Sequence, residues 1–290
     1  MSDGLSRGYG FAMDYRDTGT GTPVLALHGA LSDSTVWDPC REALMTACRF
    51  VALTLRYHGS QSWPDPGENY DAQTHADDLI AFVELRNLPP VHLVGWSYGG
   101  AVALRAMLGR PNLFASAVLF EPSVSGLMSE EGDARLEAAF VEDLNEVLLA
   151  GEDLPDRERA MAFVRFVDGR APEDRSGFDG AVERMIARNA RTLRPLLGAI
   201  ASTRMTLGEM SLISQPVTIV RGSNSLLRYR RLSERVAAEL PSGRLIEIAG
   251  GRHLAPLTRA AEMALALEWH LAAFKRASRL GAPVVGASGT

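Results

Sequence analysis

Ser97 stands in the hexapeptide Gly95-Trp96-Ser97-Tyr98-Gly99-Gly100, and His253, one of six histidines, lies in the run Ile248-Ala249-Gly250-Gly251-Arg252-His253-Leu254-Ala255-Pro256. A serine hydroxyl is a weak nucleophile until a histidine takes its proton, and that histidine works best when a third group orients it. The pair therefore points to acyl transfer, with the tetrahedral oxyanion held by backbone N–H groups. Other chemistries lack their residues. Lys275 is the single lysine, so Schiff-base catalysis would rest on one residue near the C-terminus. Cys40 and Cys48 form no CxxC and offer neither a disulfide framework nor a zinc ribbon. On one helix they would sit about 12 Å apart, too far to bridge. The sequence has no HExxH, P-loop or GxGxxG pattern, and no metal or organic cofactor is expected.

Such a serine must be lifted clear of the chain by a sharp turn between a strand and a helix. Short apolar runs rich in β-branched residues and bounded by Gly or Pro recur at 24–27, 50–55, 91–94, 115–120, 217–220 and 245–248. Runs without strict alternation fit strands buried on both faces, hence a parallel sheet covered by helices. Helical patterns alternate with them at 39–48, 72–86, 99–108, 229–240 and 259–276. That alternation predicts an α/β class protein with a doubly wound, mostly parallel sheet. Residues 10–16 read as an antiparallel strand entering the sheet, with a turn at 18–22. Between 123 and 209 no strand-like run occurs, and helical segments are expected at 130–149, 157–166, 178–189 and 192–201. The expected division is a core of 1–122 and 210–290 with a helical cap at 123–209. Insertions at the C-terminal edge of a parallel sheet lie where ligands bind. The small, polar tail at 281–290 is expected to be disordered.

In this frame Ser97 falls between the run at 91–94 and the helix from 99, the setting of a nucleophile elbow. Side chains at the flanking glycines would meet the neighbouring strand and helix. His28-Gly29-Ala30-Leu31 follows the run at 24–27, and the N–H groups of Ala30 and Tyr98 are assigned as oxyanion donors. His28 and His58 are read mainly as residues that hold their turns, His58 with a pocket position as its alternative. His75 and His270 fall in helices and His92 in a strand, where satisfied or exposed histidines are the ordinary expectation. Leu31, Trp37 and Trp96 lie beside the donors and nucleophile and are the substrate-binding candidates; the alternative for the tryptophans is packing of the sheet edge. In the insertion and at its end, Met128, Met161, Met185, Met205, Met210, Phe140, Phe163 and Phe166 fit core packing or an adaptable apolar lining.

Charge and composition exclude further classes. With 30 basic and 35 acidic residues the net charge is −5, and the basic residues are scattered, so a nucleic-acid partner is not expected. The N-terminal MSDGLSRGYG has no apolar signal region and no apolar run reaches a membrane-spanning length. The expectation is a cytoplasmic protein acting on a small-molecule substrate, with no membrane partner.

The order HG-A at 28–30, GWSYGG at 95–100, a cap-length insertion and GGRH at 250–253 resembles the α/β-hydrolase superfamily over nearly the whole chain. The resemblance implies the order nucleophile, acid, histidine, with Ser97 and His253 as first and last. Serine at 97 argues against the branches with an aspartate nucleophile, haloalkane dehalogenases and epoxide hydrolases. Relatives usually carry an Asp three residues after the Gly that ends the seventh strand. Here Arg221-Gly222-Ser223-Asn224-Ser225 puts Ser225 in that place. Some branches instead place the acid after strand six, where this chain has Leu119-Phe120-Glu121-Pro122. A carboxylate ending an apolar strand is costly unless paired. Glu121 is therefore assigned as the residue that orients His253, with Ser225 or Asn224 as a neutral alternative. The implied activity is hydrolysis of a small to medium, largely apolar carboxylic ester through an acyl-enzyme. Hydrolytic carbon–carbon cleavage or peracid formation by the same residues is the catalytic alternative, and a non-catalytic binding protein the other. Hydroxynitrile-lyase chemistry is disfavoured because the insertion has no lysine.

Overall fold

The computed structural model describes residues 2–8, 11–171, 174 and 177–279. Its centre is an eight-stranded sheet in the order β1-β2-β4-β3-β5-β6-β7-β8. The strands are β1 Ser2–Gly8, β2 Phe11–Thr18, β3 Pro23–Leu27, β4 Arg49–Leu53, β5 Val91–Trp96, β6 Phe114–Phe120, β7 Val217–Gly222 and β8 Gly243–Ile248. From β4 to β8 every pairing is parallel, and β2 runs antiparallel to both β1 and β4. β3 and β5 are buried at every position, which is why their sequences are continuously apolar; β8, at the edge, alternates.

The helices are α1 Asp38–Ala43, α2 Ala72–Leu85, α3 Tyr98–Gly109, α4 Glu131–Ala150, α5 Asp156–Val167, α6 Gly180–Asn189, α7 Leu193–Gly198, α8 Leu207–Ser211, α9 Leu227–Glu239, α10 Ala255–Thr258 and α11 Ala260–Arg279. Five of them, α4 to α8, lie between β6 and β7. The chain goes from β3 outward to β4 and returns to β5 on the other side of β3. This reversal falls between β3 and β5, and the carboxyl ends of strands at such a switch point are where open α/β sheets bind ligands.

Several expectations change in detail. The helix expected over 39–48 stops at Ala43, because the N–H groups of Met45 and Thr46 donate to Glu268 of α11 instead of continuing the turn. Cys40 and Cys48 are thus not on one helix, and both are free, buried thiols. The segment expected at 192–201 breaks into α7 and flanking 3₁₀ turns, with Pro195 in its first turn and Gly198 at its end. β1 and α8 were not expected. β1 has no apolar alternation, whereas α8 carries a capping box between Thr206 and Glu209 that is visible in the sequence. The strand expected at 10–16 is β2, antiparallel as anticipated, and the tail at 281–290 lies outside the described residues.

Candidate active site

Ser97 occupies the turn from β5 into α3 with φ 53° and ψ −115°, a conformation that L-residues rarely hold. Its N–H donates to the Phe120 carbonyl and its own carbonyl accepts from Ser123, so the two strand ends over-determine the turn. The flanking glycines are forced by contact. A Cβ on Gly99 would lie 2.4 Å from the His28 carbonyl oxygen, and one on Gly95 would lie 2.9 Å from Gly100 Cα. Tyr98 opens α3, so its N–H is among the helix donors without an intrahelical acceptor. The turn after β3 closes against Ser97: a Cβ on Gly29 would sit 3.4 Å from Ser97 Cβ. The turn that contains Ala30 and the start of α3 therefore flank the same hydroxyl.

His253 reaches this hydroxyl from the loop between β8 and α10. Its Nε2 lies 3.0 Å from Ser97 Oγ and its Nδ1 lies 2.6 Å from Glu121 Oε2. Carboxylate oxygen only accepts, so Nδ1 carries the proton and Nε2 accepts from the serine. The second oxygen of Glu121 accepts the Gly222 N–H at 2.8 Å, and Glu121 itself is bent to φ 41° at the end of β6. Ser97, Glu121 and His253 are all buried. Ser225 and Asn224 are not brought to the imidazole. Ser225 Oγ is buried without a hydrogen-bond partner, and the Asn224 side chain meets Ser223.

The His253 loop is gripped from several sides that sequence reasoning did not find. The Trp96 indole donates to the His253 carbonyl at 2.9 Å, and Asp168, just after α5, accepts the Leu254 N–H at 2.9 Å. Arg252 donates to the Gly169 carbonyl, and Tyr229 of α9 stacks on the imidazole. Asp168 and Tyr229 lie far from both motifs in sequence, and no local pattern distinguishes them.

The three substrate-binding candidates are as buried as the serine and histidine beside them. Leu31 and Trp37 have no exposed surface and Trp96 keeps 5%. All three pack the sheet edge and core, with Trp96 supporting the His253 loop. Met128, Met161, Met185, Met205, Met210 and Phe163 are likewise buried in packing, while Phe140 and Phe166 are half-buried against it.

The remaining histidines are buried and satisfied in the neutral form. His28 accepts the Leu55 N–H at Nε2 and donates from Nδ1 to the Gly29 carbonyl. His58 donates to the Ser32 carbonyl and accepts from Tyr70; His75 donates to the Arg56 carbonyl and accepts from Tyr98. At the other end of the sheet, His92 and His270 share Ser116, and His270 also meets Thr218. Burial pushes His28 and His92 down to about 4, and His75 and His270 down to about 3, from 6.5. His58 is also held well below 6.5 by burial. The unfolded chain binds protons on these rings that the folded chain refuses, so stability rises with pH across the window and is complete above pH 6.5. It is lost as pH falls from 6.5 toward the folded values, each ring contributing a slope of up to about 1.4 kcal/mol per pH unit. Urea unfolding at pH 7.5 and pH 5 is expected to differ by several kcal/mol; equal midpoints at the two pH values would contradict it.

Comparison with known proteins accords with this geometry. The sequence profile described as the alpha/beta hydrolase family matches residues 24–266, which include β4 to β8 and the serine and histidine loops. The chain belongs to the alpha/beta hydrolase family. Among characterised relatives, a 2-(acetamidomethylene)succinate hydrolase of Mesorhizobium japonicum is 27% identical over 247 residues, 83% of this chain and 84% of that one. A pimeloyl-[acyl-carrier protein] methyl ester esterase of Nitrosomonas europaea is 27% identical over 249 residues, covering 79% and 87%. The crystal structure of a bromoperoxidase from Bacillus anthracis superposes with a TM-score of 0.74 at 22% identity, covering 93% of this chain and 99% of that one, a likeness of fold. Membership of the alpha/beta hydrolases and these relatives support a hydrolase. Among the described residues, no helix of this hydrolase is long and apolar enough to cross a membrane.

Proposed function

We propose that the protein is a serine hydrolase that cleaves a small to medium, largely apolar carboxylic ester through an acyl-enzyme. The observation that carries this reading is the unbroken chain from Ser97 Oγ through both nitrogens of His253 to Glu121, whose other oxygen is already committed to Gly222. Ser97 Oγ attacks the carbonyl carbon while its proton passes to His253 Nε2. The oxyanion is held by the N–H groups of Ala30 and Tyr98, and one such donor contributes about 3–4 kcal/mol in comparable sites. His253 then gives its proton to the departing alcohol as the tetrahedral carbon collapses to acyl-serine. Water, deprotonated by the same nitrogen, attacks the acyl carbon, and Ser97 is reprotonated as the acid leaves. Glu121 accepts from Nδ1–H and holds the imidazole in the tautomer that accepts from serine. In this reading the helices at 123–209 form a cap over the core of 1–122 and 210–290 and shape the acyl site. The esterase relative supports an ester substrate.

A fluorophosphonate probe and a series of nitrophenyl esters of increasing acyl length test the proposal. The expected result is stoichiometric labelling on the peptide that contains Ser97, with turnover that peaks at a short or medium acyl chain. Labelling elsewhere, or none together with no turnover, would overturn it and favour a non-catalytic binding role. A relative described as a putative non-heme bromoperoxidase of Mycobacterium tuberculosis, 27% identical over 250 residues, supports one second reading, in which hydrogen peroxide replaces water in the deacylation step and releases a peracid. Partition of the same acyl-enzyme between water and peroxide distinguishes the two.

A further inference from the structure

The imidazole of His253 is covered by the ring of Tyr229, with centroids 4.0 Å apart and planes 14° from parallel. Trp96 meets the same imidazole only obliquely, at 5.9 Å and 50°. Tyr229 cannot swing away. Phe140 of α4 meets it edge-on at 5.6 Å, and the guanidinium of Arg228, bound through two nitrogens to Glu137 of α4, lies 5.1 Å from its centroid. Tyr229 is itself buried, and burial raises its phenol above the ordinary range, so the ring stays neutral.

We propose that Tyr229 is a positioning residue for the reaction: its ring face holds the imidazole in the plane that joins Glu121 to Ser97 and stabilises the imidazolium formed when Ser97 gives up its proton. This rests on the serine-hydrolase reading above. The negative face of an aromatic ring attracts a cation within about 6 Å of its centroid, and a neutral imidazole much less. The contact therefore strengthens as charge develops, which is the property that lowers a barrier rather than tightening substrate binding.

The other charged groups around His253 act elsewhere. Glu121, from the end of β6, acts in the ring plane at Nδ1. Asp168, after α5, is bound to the Leu254 N–H and paired with Arg170. Arg252, in the histidine's own loop, points to the Gly169 carbonyl, and Arg228 of α9 is paired with Glu137 of α4. Tyr229 is left to meet the imidazole face-on.

The test compares wild type with Tyr229→Phe, Tyr229→Leu and a variant carrying pentafluorophenylalanine at 229, which keeps the shape of phenylalanine but reverses the charge of its face. The readouts are the pH profile of kcat/KM on an ester that wild type hydrolyses, and NMR titration of the His253 ring without substrate. Tyr229→Phe is expected to keep kcat within about threefold and both profiles in place. Tyr229→Leu should lower kcat by about tenfold with little change in KM and move the acid limb and the ring titration down by about 0.5–1 pH unit. The fluorinated variant should move them the same way, and it decides the matter if the leucine variant does not fold. A fall in kcat with both profiles unmoved would show steric support alone and overturn the proposal, as would wild-type behaviour of the fluorinated variant. Failure of wild type to hydrolyse any ester would sink the ester-hydrolase reading instead, and the NMR titration would still decide the role of Tyr229.

Discussion

Ser97→Ala is expected to lower kcat on any ester the wild type hydrolyses by about 10⁵–10⁶-fold, the order seen when the triad serine is removed from a serine protease. The alanine keeps the backbone and removes only Oγ, which is the sole atom of the residue that His253 Nε2 contacts at hydrogen-bond distance. The folded state should be barely affected, because the turn is fixed by backbone bonds to Phe120 and Ser123 rather than by the hydroxyl. Ser97→Gly sharpens the prediction. At φ 53° and ψ −115° a Cβ is strained, at a cost of about 1–3 kcal/mol. Glycine relieves that strain but gains freedom in the unfolded chain worth about 0.4–1 kcal/mol. The glycine variant should therefore be as inactive as the alanine variant and melt at or above the wild-type temperature. A glycine variant that melts well below wild type would mean the turn is not strained as described. Residual turnover near the wild-type level in either variant would remove Ser97 from the chemistry.

Glu121→Gln is expected to lower kcat by about 10⁴-fold, as the equivalent carboxylate-to-amide change does in a serine-protease triad. Both oxygens of Glu121 accept, one from Gly222 N–H and one from His253 Nδ1–H, and glutamine has a single acceptor oxygen for the two donors. If its NH₂ faces His253, the imidazole must accept at Nδ1 and carry its proton on Nε2, where it can no longer take one from Ser97. If the NH₂ faces Gly222, a buried backbone donor is left unpaired at about 1–3 kcal/mol. Thermal melting should consequently fall by no more than several degrees while steady-state kinetics collapse. Ser225→Ala should leave kcat within a factor of about 2, since its hydroxyl has no partner to lose. Retained activity in Glu121→Gln together with its loss in Ser225→Ala would transfer the orienting role to the end of β7.

The parts of the fold that were legible are those whose signal is local. The runs that became β3 to β7 are apolar because both faces are covered, and Gly95 is required by contact with Gly99 and Gly100 within the strand–turn–helix itself, whereas Gly99 and Gly100 are required by Leu27, His28 and Pro122 from outside it. β1 left no trace because its pairing with β2 is a backbone ladder that needs no apolar alternation. The burial of Leu31, Trp37 and Trp96 was illegible for a related reason. Nearness in sequence to Ser97 and Ala30 says nothing of which side a side chain takes, and here the three take the inside.

By itself, then, the sequence determined that a serine would be presented on a tight turn at the carboxyl edge of a mostly parallel sheet, with a histidine in a late glycine-rich loop. It also narrowed the orienting group to a few residues. The tertiary structure alone decided that Glu121 is the one in reach, that Asp168 bonds the backbone beside the histidine and Tyr229 stacks on its ring, and that the Trp96 indole bonds the histidine's carbonyl. The reason is separation along the chain. A turn is set by φ, ψ and contacts between residues a few positions apart, whereas Glu121 and His253 are 132 residues apart and meet only because β6, β7 and β8 lie side by side in the sheet.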